Sequence, residues 1–261
     1  MRQACHWQAA AHQPKEGYNG PYAAPHNCWC HNLSASMNSI DLFQNPLRRW
    51  GKNKDGKHRP TVLVKELQER DRRRMLKHFM ELESSDRLLR FGTILPDEQM
   101  ANYVNRIDFS RDMVFGVYNR LFKLVAVGHL AFAPRDESKS AVTEKERVAE
   151  FGVSVSKAAR GMGVGSKLFE RAAIHCRNND VDTLYMHCLS SNKTMMHIAK
   201  KAGMEIHRDY GEADAYLKLL PANPASMLQE ALDEQFATLD YTLKANKRIA
   251  TKWLGRLAGK K

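Results

Sequence analysis

The chain has 261 residues, 43% of them hydrophobic, with 41 Lys and Arg against 29 Asp and Glu for a formal charge of +12. That is long enough for one ordinary domain with extensions. No run approaches the roughly 18 apolar residues that span a bilayer, so a soluble, cytoplasmic protein is expected. The cysteines (Cys5, Cys28, Cys30, Cys176, Cys188) are odd in number and unevenly spaced, which argues against a disulfide framework of the secreted kind.

Residues 1–60 are rich in His, Asn, Gly, Pro and Ser and hold neither a helical nor a strand period, so a disordered N-terminal extension is expected. His26, Cys28, Cys30 and His31 form a C-x-C-H cluster without a second ligand pair at zinc spacing, and no metal is assigned to it. Met37 offers a second start position. Much of the basic excess flanks the expected core, from Arg48 to Arg59 before it and from Lys244 to Lys261 after it.

Residues 61–67 read as a first strand and 71–82 as a helix with Met75, Leu76, Phe79 and Leu82 on one face. S-S-D-R-L-L-R-F then reads as a short connection, and Pro96 opens a second helix through Val104. Two strands follow at 113–118 and 124–132, antiparallel across a turn at Asn119 and Arg120, and a charged loop runs over 134–146. Further elements are a strand at 148–155, a helix from Val164 to about Asn178, a strand at 183–189, a helix over 192–202 stopped by Gly203, and short strands at 205–208 and 215–220.

From Ser226 the chain is helical again. Ser226 and Gln229 form a capping box, and Leu228, Leu232, Phe236, Leu239, Leu243, Ala250, Trp253 and Leu257 trace one apolar stripe. A helix of about 30 residues is roughly 45 Å long, longer than the domain is wide, so part of it must project, dock on a partner or break.

The most informative stretch runs from Glu150 to Ser166, E-F-G-V-S-V-S-K-A-A-R-G-M-G-V-G-S: an alternating strand, a Gly-rich turn and a helix start. That order directs unpaired backbone N–H groups and the positive end of a helix dipole at one spot, suited to a pyrophosphate. With Asn192, Gly203 and Met204 downstream at compatible spacing, residues 61–220 resemble the GNAT superfamily of acyl-CoA-dependent N-acetyltransferases. Arg160, Gly161, Gly163 and Gly165 match its R/Q-x-x-G-x-G/A signature. The segments D-R-L-L-R-F, A-E-F-G-V-S-V and N-K-T-M-M-H-I-A-K-K-A-G-M look most like the bacterial branch that includes protein lysine acetyltransferase domains.

The resemblance implies an α/β fold, a mixed sheet with a splayed strand pair flanked by helices, occupying residues 61–220 ahead of a C-terminal helix at 221–261. It implies acetyl-CoA as co-substrate and no metal. The pantetheine arm would pair with backbone groups of Val153 and Val155. The pyrophosphate would meet the N–H groups of Arg160, Gly161, Met162, Gly163, Val164 and Gly165 and the Ser166 hydroxyl, and Asn192 would help to hold the cofactor. Glu150, in the apolar setting V-A-E-F, would be the general base that frees the attacking amine. His129 and His187 are weaker candidates as water-chain partners. Many members carry a tyrosine seven residues after the Asn that protonates the leaving thiolate. Here that position is Ala199, with Ser191 and Tyr210 as weak substitutes, and Cys188 reads as a buried small hydrophobe rather than a nucleophile.

The expected activity is transfer of acetyl to a primary amine, a protein lysine or a small molecule, by direct attack in a ternary complex. A non-catalytic acyl-CoA sensor or scaffold working through the C-terminal helix is the alternative. That helix could form a homodimer or partner contact. Its interleaved basic and aliphatic residues argue against nucleic acid, and the acidic polar face of 228–240 argues against a membrane surface.

Overall fold

The computed structural model describes residues 61–132 and 147–258. The expected disordered extension, the C-x-C-H cluster and the charged loop lie outside the described residues. Among the described residues seven strands form one sheet in the order β1-β2-β3-β4-β5-β7-β6. They are β1 (Lys65–Glu66), β2 (Met113–Tyr118), β3 (Leu124–Phe132), β4 (Val148–Val155), β5 (Thr183–Leu189), β6 (Glu205–Asp209) and β7 (Glu212–Lys218). Every neighbouring pair is antiparallel except β4 and β5, which run parallel around the crossover helix α4 (Val164–Asn178).

Alternation along the strands splits the core between two faces. On one, α1 (Arg72–Met80), α2 (Ser84–Phe91) and α3 (Asp97–Arg106) bring Met75, Phe79, Phe91 and Met100 onto Val114 and Val127. On the other, α4 and α5 (Lys193–Ala202) bring Leu168, Ala172 and Ile198 onto Phe151, Leu184 and Met186. Among the described residues no helix is long and apolar enough to cross a membrane.

Several expectations are corrected. The first strand shrinks to Lys65–Glu66, because Val62 packs on the core without pairing. S-S-D-R-L-L-R-F is not a connection but the helix α2, which ends at Gly92 in the left-handed conformation, φ 70°. Its apolar stripe was unreadable because Leu88 and Leu89 stay partly exposed and only Phe91 is buried. The last strand starts at Glu212, three residues early, since Tyr210 (φ 42°) and Gly211 (φ 92°) form a tight β6–β7 turn.

The C-terminal helix α6 (Pro224–Ala258) is unbroken over 35 residues. Its cap sits one turn before the expected one. Asn223 Oδ1 accepts from Ser226 N at 2.7 Å, and Asn223 N donates back to Ser226 Oγ at 3.1 Å. The helix docks by its polar side. Glu230 accepts from Arg171 (2.6 Å) and Asn178 (2.6 Å) and lies 2.8 Å from His175 Nδ1. Glu234 pairs with Lys65, and Tyr241 packs its ring on Tyr118 and Phe122. Beyond Arg248, which donates to Phe122 O at 3.2 Å, the helix projects. The expected apolar stripe faces away from the domain: Leu232, Phe236, Leu239, Leu243, Trp253 and Leu257 are 46–70% exposed.

Candidate active site

Strand β4 positions the site because it belongs to two partners along only part of its length. It pairs with β3 throughout, Phe132↔Ala149 to Ala126↔Val155, but with β5 only at Val148↔Thr183, Ala149↔Leu184 and Glu150↔Tyr185. Past Glu150 the two central strands diverge. Ser156 N donates to Val125 O at 2.8 Å, so the backbone groups of Ser154 and Gly152 also point toward β3, and those of Val153 and Val155 point into the gap. Arg160 Nε donates to the Val155 carbonyl at 3.4 Å from the gap side, which agrees with that direction.

The loop after β4 turns into α4 through three glycines that serve three purposes. Gly161 and Gly163 both have φ +75°, a conformation costly for residues with a Cβ, although a Cβ at either would meet open space. Gly165 has ordinary backbone, but a Cβ there would lie 3.2 Å from Ile198 Cδ1, so it sets the approach of α4 to α5. Gly161, Met162 and Gly163 are exposed at the tip, Val164 is buried as an anchor, and Ser166 is half-buried in the first turn. The first-turn N–H groups of α4 have no intrahelical acceptor and lie at the mouth of the gap. This cradle fits a pyrophosphate. Arg160 also pairs with Asp86 of α2, which closes the loop against the opposite wall.

Glu150 sits at the base of the fork, on the face that also carries His129, Tyr185, His187 and Asp214. Burial pushes its carboxyl above the ordinary value, while the charges of Arg90, His187 and His129 pull the other way without cancelling the rise. Two polar chains flank it. On the α-helical side, Arg90 donates to Tyr103 Oη at 3.1 Å, Tyr103 Oη lies 2.9 Å from His129 Nδ1, and His129 Nε2 lies 3.1 Å from Asp112. On the strand side, Asp214 accepts from Tyr185 Oη at 2.6 Å and lies 2.8 Å from His187 Nδ1. Gly152, next on this face, makes room for Arg90, because a Cβ there would collide with the guanidinium.

Asn192 is buried as the N-cap of α5: its Oδ1 accepts from Met195 N at 3.1 Å and its Nδ2 donates to Leu89 O of α2 at 3.4 Å. It therefore ties the two walls of the gap together. Ala199 is buried in α5 and offers no proton. Tyr210 is fully exposed at the β6–β7 turn, away from Glu150. Cys188 is buried with its thiol against Met196 Sδ at 3.9 Å, and burial raises its pKa, so it is held as a thiol. Among the described residues no cluster of His, Cys, Asp or Glu could hold a metal.

The fold brings Glu150, Val153, Val155 and the segment from Arg160 to Ser166 to one cleft, with Asn192 at its wall. The sequence does not mark Arg90, Tyr103 and Asp214 as part of the site. Arg90 lies in a segment that reads as a connection, and a lone Asp in an alternating strand carries no signal of its partner.

Residues 76–204 match the family model described as the acetyltransferase (GNAT) family. No curated protein matches the sequence. Among solved structures, the GNAT domain of S. lividans PAT is similar over 67% of this chain and 100% of its own, at 18% identity and a TM-score of 0.50. An N-acetyltransferase from Staphylococcus aureus Mu50 aligns at 14% identity over 62% of this chain and 100% of its own, with a TM-score of 0.46. A ribosomal-protein-alanine N-acetyltransferase from Brucella melitensis aligns at 16% identity over 60% and 99%, with a TM-score of 0.45.

Proposed function

We propose that the chain is an acetyl-CoA-dependent N-acetyltransferase acting on a primary amine, a protein lysine or a small-molecule amine, a reading supported by the match of residues 76–204 to the GNAT acetyltransferase family model and by the GNAT fold. The observation that carries the reading is the fork: β4 and β5 part directly after Glu150, and the glycine loop opens at the far end of the same gap.

When bound, acetyl-CoA supplies an electrophilic thioester carbonyl. Backbone groups of Val153 and Val155 pair with the amides of the pantetheine arm, as the open edge of a strand does. The N–H groups from Arg160 to Gly165 and the Ser166 hydroxyl hold the pyrophosphate. Asn192 fixes the wall on which the arm rests. Glu150 accepts the proton of the ammonium, directly or through water, so that a neutral amine attacks. Its raised pKa makes it a stronger base than an ordinary carboxylate, and the charge of Arg90 opposes that rise. With alanine at position 199, the thiolate departs without a dedicated acid.

The test is release of free CoA from acetyl-CoA against polyamines, amino acids, aminoglycosides and lysine peptides. Glu150→Gln should lower kcat/KM roughly 100-fold at neutral pH, the low end of general-base catalysis. An undiminished rate would remove Glu150 from the role, and acetyl-CoA binding without turnover on any amine would return the sensor reading.

A further inference from the structure

We propose that the outward apolar seam of α6 is a self-association surface on which two copies of this chain pair their helices antiparallel. The inference is independent of the catalytic reading. The residues that hold α6 to its own domain, Ser226, Glu230, Glu234, Ala237, Tyr241 and Arg248, occupy one face. At 100° per residue the seam of Leu232, Phe236, Leu239, Leu243, Ala250, Trp253 and Leu257 lies on the opposite face. From Phe236 to Leu257 its spacings alternate three and four, with Asn246 filling the one polar position, which is the heptad of a two-helix seam.

Charge sets the direction. Every acidic residue of α6 (Glu230, Asp233, Glu234, Asp240) precedes Tyr241, and every basic residue (Lys244, Lys247, Arg248, Lys252, Arg256) follows it. Parallel pairing in register would set like charges against like. Antiparallel pairing sets the acidic half of each helix against the basic half of the other, and brings Asp240 beside Lys247 of the second copy on the flank of the seam.

One antiparallel register matches the whole seam. Leu243 meets Asn246 of the second copy, Leu239 meets Ala250, Phe236 meets Trp253 and Leu232 meets Leu257, and each match occurs twice by symmetry. Large side chains then oppose small ones near the two-fold axis and aromatic ones pair farther out. The exposed end beyond Arg248 lies on the docked half of the partner helix. The six large apolar side chains of the seam, each about half to two-thirds exposed, present on the order of 700 Å² per copy, close to the size of a standard stable interface.

Sedimentation equilibrium of the full chain should give twice 29.8 kDa. Leu243→Glu should give a folded monomer whose cooperative melt no longer depends on protein concentration, because Leu243 is 70% exposed and supports nothing in its own domain. Asp240→Lys and Lys247→Asp should each weaken the dimer at least several-fold, and the double variant should restore it. Oxidation of a mixture of Phe236→Cys and Trp253→Cys chains should yield a disulfide between positions 236 and 253, identified by peptide mapping, that neither variant forms alone. A monomeric wild type, a dimer that survives Leu243→Glu, or self-cross-linking of the single variants would overturn the proposal. A monomer that sediments with anionic vesicles would do so too, and would assign the seam to lipid.

Discussion

Arg90 illustrates how one side chain sets the working range of another. It lies over Gly152, donates to Tyr103, and is the largest influence opposing the rise in the pKa of the half-buried Glu150. Removing it should strand Glu150 in its protonated form to higher pH. The acidic limb of the kcat/KM profile should therefore move upward in Arg90→Ala, and it should also move in Gly152→Ala, where the new methyl expels the guanidinium. A profile unmoved in both variants would separate Arg90 from the base. The pKa of His78 is shifted downward. Burial on the inner face of α1 pushes it down to about 4, with Nε2 held 2.8 Å from Ser154 Oγ. Because the unfolded chain binds the proton more readily, the stability His78 contributes is complete above about 6.5 and is lost as pH falls toward 4. The loss is on the order of 3 kcal/mol. Denaturant unfolding at pH 7 and at pH 4.5 should differ in that direction, and by less in a His78→Gln chain.

The glycine turn and the helix after it form the element most constrained by backbone geometry. Gly161→Ala and Gly163→Ala should each cost about 1 kcal/mol through the left-handed φ and raise KM for acetyl-CoA several-fold with kcat little changed. Gly165→Ala carries no such strain and acts only by pressing on Ile198. At the other end of the chain, Asn223→Ala removes the reciprocal cap of α6 and should lower stability by about 1 kcal/mol in thermal unfolding. What the sequence made legible follows the same logic. Strand β4 and helix α4 stood out because Val148 to Val155 alternates cleanly and Leu168, Phe169, Ala172 and Ala173 repeat at helical period. The α2 helix did not, because Arg87 fills its underside with polar bonds to Met80 O and Leu95 O, and that face reads as surface. The stripe on α6 was legible as a pattern but not in its direction, since periodicity marks a face without saying whether it meets the chain's own core. The companions of Glu150 come from α2, α3 and β7, and only folding brings them together.

At the scale of the molecule, α6 behaves as two segments. Truncation before Pro224 leaves Arg171, 3% exposed at its side chain, without Glu230, which should cost about 3–5 kcal/mol and lower the melting temperature by on the order of 10 °C. Truncation after Arg248 removes only residues that project from their own domain, so the domain should stay folded with a melt well above that of the shorter truncation. Glu230 adds a dependence on acid: although burial opposes its ionisation, hydrogen bonds from His175, Arg171 and Asn178 hold its carboxyl at about 2, so the attachment of α6 weakens as pH falls from about 4.5 toward 2. The divergence of β4 from β5 reaches further than the cleft it opens. Val153 and Val155 stand in the fourth strand of seven, where amide protons ordinarily exchange with solvent most slowly, yet their N–H groups face the gap. In the free protein they should exchange with deuterium orders of magnitude faster than Gly152 and Ser154 beside them, and become protected when CoA is added. The middle of this sheet is thus a pair of reporters that detects occupancy of the cleft whether or not an acceptor amine is known.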